Sequence, residues 1–153
     1  MTTPNIIGCP TQVTITTPSV TCTGSRLLAG NLTGDKGLKG TLGGSSRIHQ
    51  YFTGADTRGF TFTTDDADVI AALPQGTIVA TAAIAFQGAY LGSGTQTGTA
   101  AGSRSITKGI VKNAYSLEFN PDGTPAKQKI DIEVAIADDG TAGAVTDDLN
   151  LAA

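Results

Sequence analysis

A chain of 153 residues suits one ordinary domain and is too short for two well-cored ones. It holds 34 Leu, Ile, Val and Phe against 24 Thr, 20 Gly and 20 Ala, with no Trp, one His and 15% charged residues. That balance excludes a large helical bundle, a coiled coil, a membrane span and a basic nucleic-acid binder, and it favours a thin, threonine-rich β fold. The net charge of −3 is unevenly spread: residues 1–129 carry ten basic and seven acidic side chains, and residues 130–153 carry six acids and no base. A basic body with an acidic end (residues 138–153 hold most of it) is a pattern that attracts copies head to tail, or else an acidic tail that keeps the chain soluble.

The N-terminus has no basic stretch leading into an apolar run, so the expectation is a protein made in a cytoplasm, where the Asn31-Leu32-Thr33 sequon carries no meaning. Cys9 and Cys22 stand thirteen positions apart around the first strand signal, residues 12–17, where Val13 and Ile15 share one face. Two cysteines are too few for a disulfide scaffold and have no neighbours for a zinc site. They are a candidate disulfide if the flanking segments pair as a hairpin, and two separate buried thiols otherwise.

Two segments are rich in glycine and read as long loops or arms: residues 24–46, and residues 88–102, which carry no charge in positions 88–102 before Arg104. Gly34, Gly37, Gly40, Gly94 and Gly98 are the candidate inter-subunit loop positions. Further strands are expected at residues 47–52, 59–64, 77–86, 105–111, 114–119 and 129–137. The last is the cleanest, with Ile130, Ile132, Val134 and Ile136 on one face and Asp131 and Glu133 on the other, so one face is buried and one meets water. Asn120-Pro121-Asp122-Gly123 reads as the turn of a hairpin between the last two strands.

One helix is expected, at about residues 65–73, with Thr64 or Asp65 as N-cap and Val69, Ile70 and Leu73 as its apolar stripe; Pro74 and Gly76 end it. Its aspartates match no calcium loop, and capping accounts for them. The fold class is therefore all-β, an antiparallel β-sandwich or partial barrel with one short central helix and two long glycine-rich loops, in a single domain.

Catalytic vocabulary is sparse. His49 is the only histidine and lies in a strand-like stretch, Ser93 lacks a nucleophile-elbow context, and no glycine loop ends in Gly-Lys-Ser/Thr. The expectation is a non-enzymatic protein without cofactor or metal.

The element order carries a resemblance. A strand runs into a capped helix (Phe62-Thr63-Thr64-Asp65-Asp66-Ala67-Asp68-Val69-Ile70-Ala71-Ala72-Leu73), followed by Gly76 and the long strand from Thr77 to Phe86, a glycine-rich loop, and the segments from Ile110 to Leu117 and from Ile130 to Val134. This resembles the tail-tube proteins of long-tailed bacteriophages and the related secretion-system tube protein. The resemblance covers residues 59–137 and implies a subunit of a virion, made in the host bacterium, whose strands join those of its copies into hexameric rings that stack as a DNA conduit. Its partners would be itself, other virion proteins and, transiently and non-specifically, DNA, with no membrane. Asp131 and Glu133 are then candidate lumen or assembly carboxylates. A capsid decoration (cement) protein is the alternative, and a surface or carbohydrate-binding β-sandwich a second one.

Overall fold

The computed structural model describes residues 5–42, 48–53, 55–90, 100–113, 117, 119–135 and 143–148. The elements in chain order are β1 (Asn5–Thr16), β2 (Val20–Thr23), a 3-10 turn (Gly24–Arg26), β3 (Leu27–Thr33), β4 (Leu38–Leu42), β5 (Ile48–Thr53), β6 (Gly59–Thr64), α1 (Ala67–Ala72), β7 (Ile78–Tyr90), β8 (Ala100–Val111), β9 (Gln128–Val134) and β10 (Ala144–Asp148). All pairings are antiparallel. Eight strands form one sheet in the order β2-β1-β7-β8-β9-β6-β3, with β10 on β8, and the sheet does not close into a barrel; β4 and β5 form a separate two-stranded sheet.

Threonine alternating with Val, Ile and Phe builds these strands, since β-branched and aromatic side chains suit a half-buried pleated surface. Val13 and Ile15 of β1, Phe60 and Phe62 of β6, and Ile130 and Ile132 of β9 are all at most 1% exposed. They meet Ile84 and Ile106 in a single apolar cluster, with the rings of Phe60 and Phe62 6.2 Å apart. The sheet therefore folds over on itself, one layer holding β2, β1, β7 and β8 and the other β9, β6 and β3. At Gly30 of β3 the layers come so close that a Cβ would lie 2.8 Å from the Ile84 side chain and 3.1 Å from Pro10.

The fold-over happens on β8. Its residues 103–107 pair with β10, and Gly109, Ile110 and Val111 pair with β9. Between them Lys108 adopts φ 57° and its carbonyl accepts from the Ala135 N–H at 2.8 Å. Burial switches phase at this residue, from Arg104 and Ile106 to Gly109 and Val111, which turns the strand from one layer into the other.

The helix closes the end of the sandwich where β6 finishes. Val69, Ile70 and Leu73 are buried, as the stripe predicts. The cap is Asp66 rather than Thr64 or Asp65: its carboxylate accepts from the Asp68 N–H at 3.0 Å, and Thr64 Oγ1 accepts from the Asp66 N–H.

Three expectations need correction. Residues 24–46, expected as a loop or arm, hold the strands β3 and β4 rather than free loop over 27–33 and 38–42; the second glycine-rich segment likewise begins inside β7 and ends inside β8. Leu117 and Phe119 are not in a strand, so the hairpin partner of β9 is β8, across the connection that contains the Asn120 turn. The Cys9–Cys22 bridge is also absent. Cys22 is a free, buried thiol. Its strand partner on β1 is Val13, four positions beyond Cys9 and about 13 Å along the strand, well outside disulfide reach.

Candidate assembly site

The strands β3 and β4 on one side and β5 and β6 on the other are two stretches of one long antiparallel ribbon. Thr33 pairs with Gly59 at the end of the sandwich, and Leu38 pairs with Thr53 where the ribbon resumes. The outer stretch, β4 with β5, hydrogen-bonds to no other strand of the described chain and extends the ribbon by about 17 Å, at about 3.3 Å per residue. It is an arm.

Glycine makes its joint. Gly34 and Gly37 have φ of 77° and 63°, and a Cβ on them would lie 2.0 Å from the Thr57 carbonyl oxygen and 2.4 Å from that of Ala55. The two chains pass each other here at backbone contact distance. The Thr57 N–H donates to the Asp35 carbonyl at 2.9 Å, and the Asp35 carboxylate turns back to accept from the Gly37 N–H. Asp56 and Arg58 pair through the same joint at 2.8 Å, and that guanidinium holds the Asp56 carboxyl below the ordinary carboxylate value.

The root of the arm is held by Arg104, which projects from β8 between the layers and is only 8% exposed. Its Nη1 donates to the Thr33 carbonyl at 3.0 Å and to the Gly59 carbonyl at 2.8 Å, the last pair before the arm leaves. Its Nε and Nη2 grip both oxygens of Asp147, directly opposite on β10, at 2.6 and 2.9 Å. The hydrogen bonds from Arg104 lower the Asp147 carboxyl from its ordinary value. One side chain thus fastens three things together: the long strand β8, the C-terminal strand and the arm root.

The candidate residues read from the sequence divide unevenly. Gly34 and Gly37 lie at the arm joint and Gly40 lies in β4 opposite Tyr51. Gly94 and Gly98 lie outside the described residues. Asp131 and Glu133 fall on the outer face of β9, each half-buried, with Ile130, Ile132 and Val134 buried behind them; Ile136 lies outside the described residues. Their surroundings are not purely acidic. Lys112 Nζ donates to Glu133 at 2.6 Å, which pushes the lysine up, and Lys129 is exposed in the same strand. Arg104 and Asp147 escaped notice. The signal for Arg104 was its position two residues before Ile106 in a strand where Ser103, Ser105 and Thr107 alternate outward, which puts an arginine on the apolar face. A buried arginine requires an acceptor, and in the sequence Asp147 reads only as part of an acidic end.

The other layer offers a face without charge across most of its width. Register sets Thr21, Thr14, Ala83, Ser105 and Thr146 in one row over β2, β1, β7, β8 and β10. A neighbouring row runs Thr16, Thr81, Thr107 and Ala144, with the hydroxyls of Thr16 and Thr81 in contact. Among the described residues both edges of this layer lack a pairing partner. Among the same described residues β2 covers β1 only from Gln12 to Ile15, so residues 5–11 pair on the β7 side alone, and β10 pairs only with β8.

Among the described residues no group of three or more His, Cys, Asp and Glu is placed to hold a metal, and no helix is long and apolar enough to cross a membrane. The chain matches no protein-family model, and no curated protein is significantly similar to it.

Proposed function

We propose that the chain is a non-enzymatic structural subunit of a virion, of the tail-tube kind, which assembles with its own copies into stacked rings that form a DNA conduit. The observation that carries this reading is the arm, a two-stranded ribbon that leaves the sandwich on a glycine joint and, among the described residues, pairs with no further strand. An isolated two-stranded hairpin is marginal in water, so a ribbon of this kind is stabilised by a neighbour. Open edges at β1 and β10 support the same reading, because exposed ladder groups on both sides of one layer can pair laterally, and ring closure removes both edges at once.

Lateral pairing through β1 and β10 would make the Thr/Ser/Ala face, with Asp148 at its β10 edge, one wall of a ring. A wall of hydroxyls and methyls gives DNA no cations to adhere to. We therefore assign the bore to this face, and read Asp131 and Glu133, interleaved with Lys112 and Lys129, as assembly carboxylates on the outer layer. Reversing both to lysine should abolish rings. Rings that form normally but pass DNA poorly would return these two carboxylates to the lumen.

Electron microscopy of the purified chain tests the reading as a whole. Hexameric rings or long tubes are expected. Trimers that bind expanded heads and never stack would indicate capsid decoration, and a strict monomer that binds a glycan would indicate a surface module; either result overturns the tube reading.

A further inference from the structure

The strand β10 is thinly held. It is five residues long, and four of them are exposed; only Val145 packs against the core cluster. Its ladder runs to β8 alone among the described residues. Short edge strands with few buried apolar contacts and a solvated face stand at the low end of local stability. The face that β10 turns inward carries two side chains, Val145 and Asp147. Asp147 is therefore a large part of what fastens the strand, and it does so by gripping the same guanidinium that fixes the arm root.

A guanidinium is a rigid planar fork. With Nε and Nη2 seated on both oxygens of Asp147, Nη1 is left facing one way, towards the Thr33 and Gly59 carbonyls. Without Asp147 this long side chain would have to be ordered by two neutral carbonyls alone, against the rotamer freedom it regains. The carboxylates of the joint are already engaged. Asp56 is held by Arg58 at 2.8 Å, and the Asp35 carboxylate accepts from the Gly37 N–H. The joint acts on β10 in return: Arg104 first, and then Arg58 and Lys36, keep the Asp147 carboxyl below its ordinary value.

We infer that β10 is a detachable latch coupled to the arm: docked on β8 it seats Arg104 and fixes the arm root, and released it frees both. The coupling is reciprocal, so whatever steadies the arm also holds β10. It is a property of the single chain. Its use rests on the self-assembly reading: a neighbour pairing along the unpaired edge of β10 would tighten the arm of the same copy, so that one contact between copies prepares the next.

Hydrogen exchange on the full chain, below the concentration at which copies associate, tests it. Ser105→Cys with Thr146→Cys, in a Cys9→Ser background, places thiols on two exposed residues that face each other across β8 and β10, at a Cα spacing of about 4.5–5.5 Å that a disulfide spans. Oxidation should slow exchange at the β10 amides and, in step, at the Thr57 N–H that closes the arm joint on the Asp35 carbonyl, each by about fivefold or more over the reduced chain. Adding Asp147→Ala should leave the oxidised β10 protected while Thr57 exchanges freely, because the strand stays docked without its grip on Arg104. Val145→Ser in the reduced chain should speed exchange at both places, with the β9 amides, which report the sandwich itself, unchanged. Oxidation that protects β10 and leaves Thr57 at the reduced rate overturns the coupling, as does a Thr57 amide still protected in the oxidised Asp147→Ala chain. Oxidation that changes neither place shows β10 already firmly docked and overturns the latch. None of these results depends on rings or tubes, so the assembly reading stands or falls separately, by microscopy.

Discussion

Replacing Arg104 by methionine keeps most of the side-chain volume and removes every polar contact at the arm root. The Gly59 carbonyl is left buried without its donor and the Thr33 carbonyl loses one in a part-buried site, at about 1–3 kcal/mol for a fully buried acceptor. Asp147 loses a bidentate partner, but about a third of its side chain reaches solvent, so rehydration returns part of that loss. Together these give a destabilisation of about 3–4 kcal/mol, within the range of about 3–5 kcal/mol for breaking a buried ion pair. Asp147→Asn, which keeps an acceptor opposite the guanidinium, should cost about 1–2 kcal/mol. The double variant should fall short of the sum by about 1–1.5 kcal/mol, because both changes remove the same bond.

Urea denaturation at concentrations too low for assembly measures this. With a slope of about 2 kcal/mol per M, the Arg104→Met midpoint should drop by about 1.5–2 M. Arg58→Met is the control: its Asp56 partner is two residues away on a part-exposed joint, and the loss should stay below about 1 kcal/mol. Proteolysis supplies the structural readout, since cleavage in residues 38–53 should rise sharply only for the Arg104 variant. If Arg104→Met costs less than about 1 kcal/mol, or if its cost simply adds to that of Asp147→Asn, Arg104 is not the clamp described.

Gly34→Ala combines a φ of 77° with a backbone oxygen 2.0 Å from the new Cβ, and should cost more than the roughly 1 kcal/mol of left-handed strain alone; loss of assembly with a nearly unchanged thermal midpoint for the sandwich is the expected pattern. The Asp147 carboxyl is lowered from 3.8, so its contribution is fully present above that value and is lost as pH falls through the depressed folded value. The urea midpoint of the wild type should therefore be insensitive to this pair between pH 5 and 8 and decline below about pH 4, and the Asp147→Asn chain should show less of that decline. Lys112 runs the opposite way: its value is raised above 10.5 by Glu133, so its small contribution is kept at neutral pH and lost only in strong alkali. Burial raises the Cys22 thiol, so it should resist a thiol-specific dye at pH 8 in the native chain and react fully in urea; rapid native labelling at Cys22 would contradict its place behind Thr64.

Period-two alternation carried most of the fold into view. Val13 with Ile15, Phe60 with Phe62, and Ile130 with Ile132 could be assigned to a core because each pair brackets a threonine or a charge, and the helix was legible from Val69, Ile70 and Leu73 between aspartates and Pro74. What escaped is non-local. Pairing of β9 with β8 depends on Lys108 taking a left-handed conformation, which lysine propensity gives no reason to expect. Glycine density in residues 24–46 reads as a loop or arm and hides the pairing within it: here glycine permits close passage of two strands, so Gly34 and Gly37 mark a tightly paired joint. Arg104 was invisible for a related reason, since burial of a charge is decided by a partner 43 residues away and by carbonyls at the far end of another strand.

The scarcity of large apolar residues takes on a different meaning once they are placed. Among the described side chains the buried aliphatic and aromatic ones gather mainly in one cluster between the two layers. The described ties between the arm and the sandwich lie at the joint, where Arg104, Asp56 and Arg58 act. A two-stranded ribbon that begins with an exposed leucine and has no sheet behind it gains too little from its own ladder to offset the entropy of ordering roughly ten residues, at about 1–2 kcal/mol each. A subunit built this way places its polar clamp at the root and leaves an apolar side chain beyond it. Under the proposed self-assembly, the surface that completes the arm belongs to another copy.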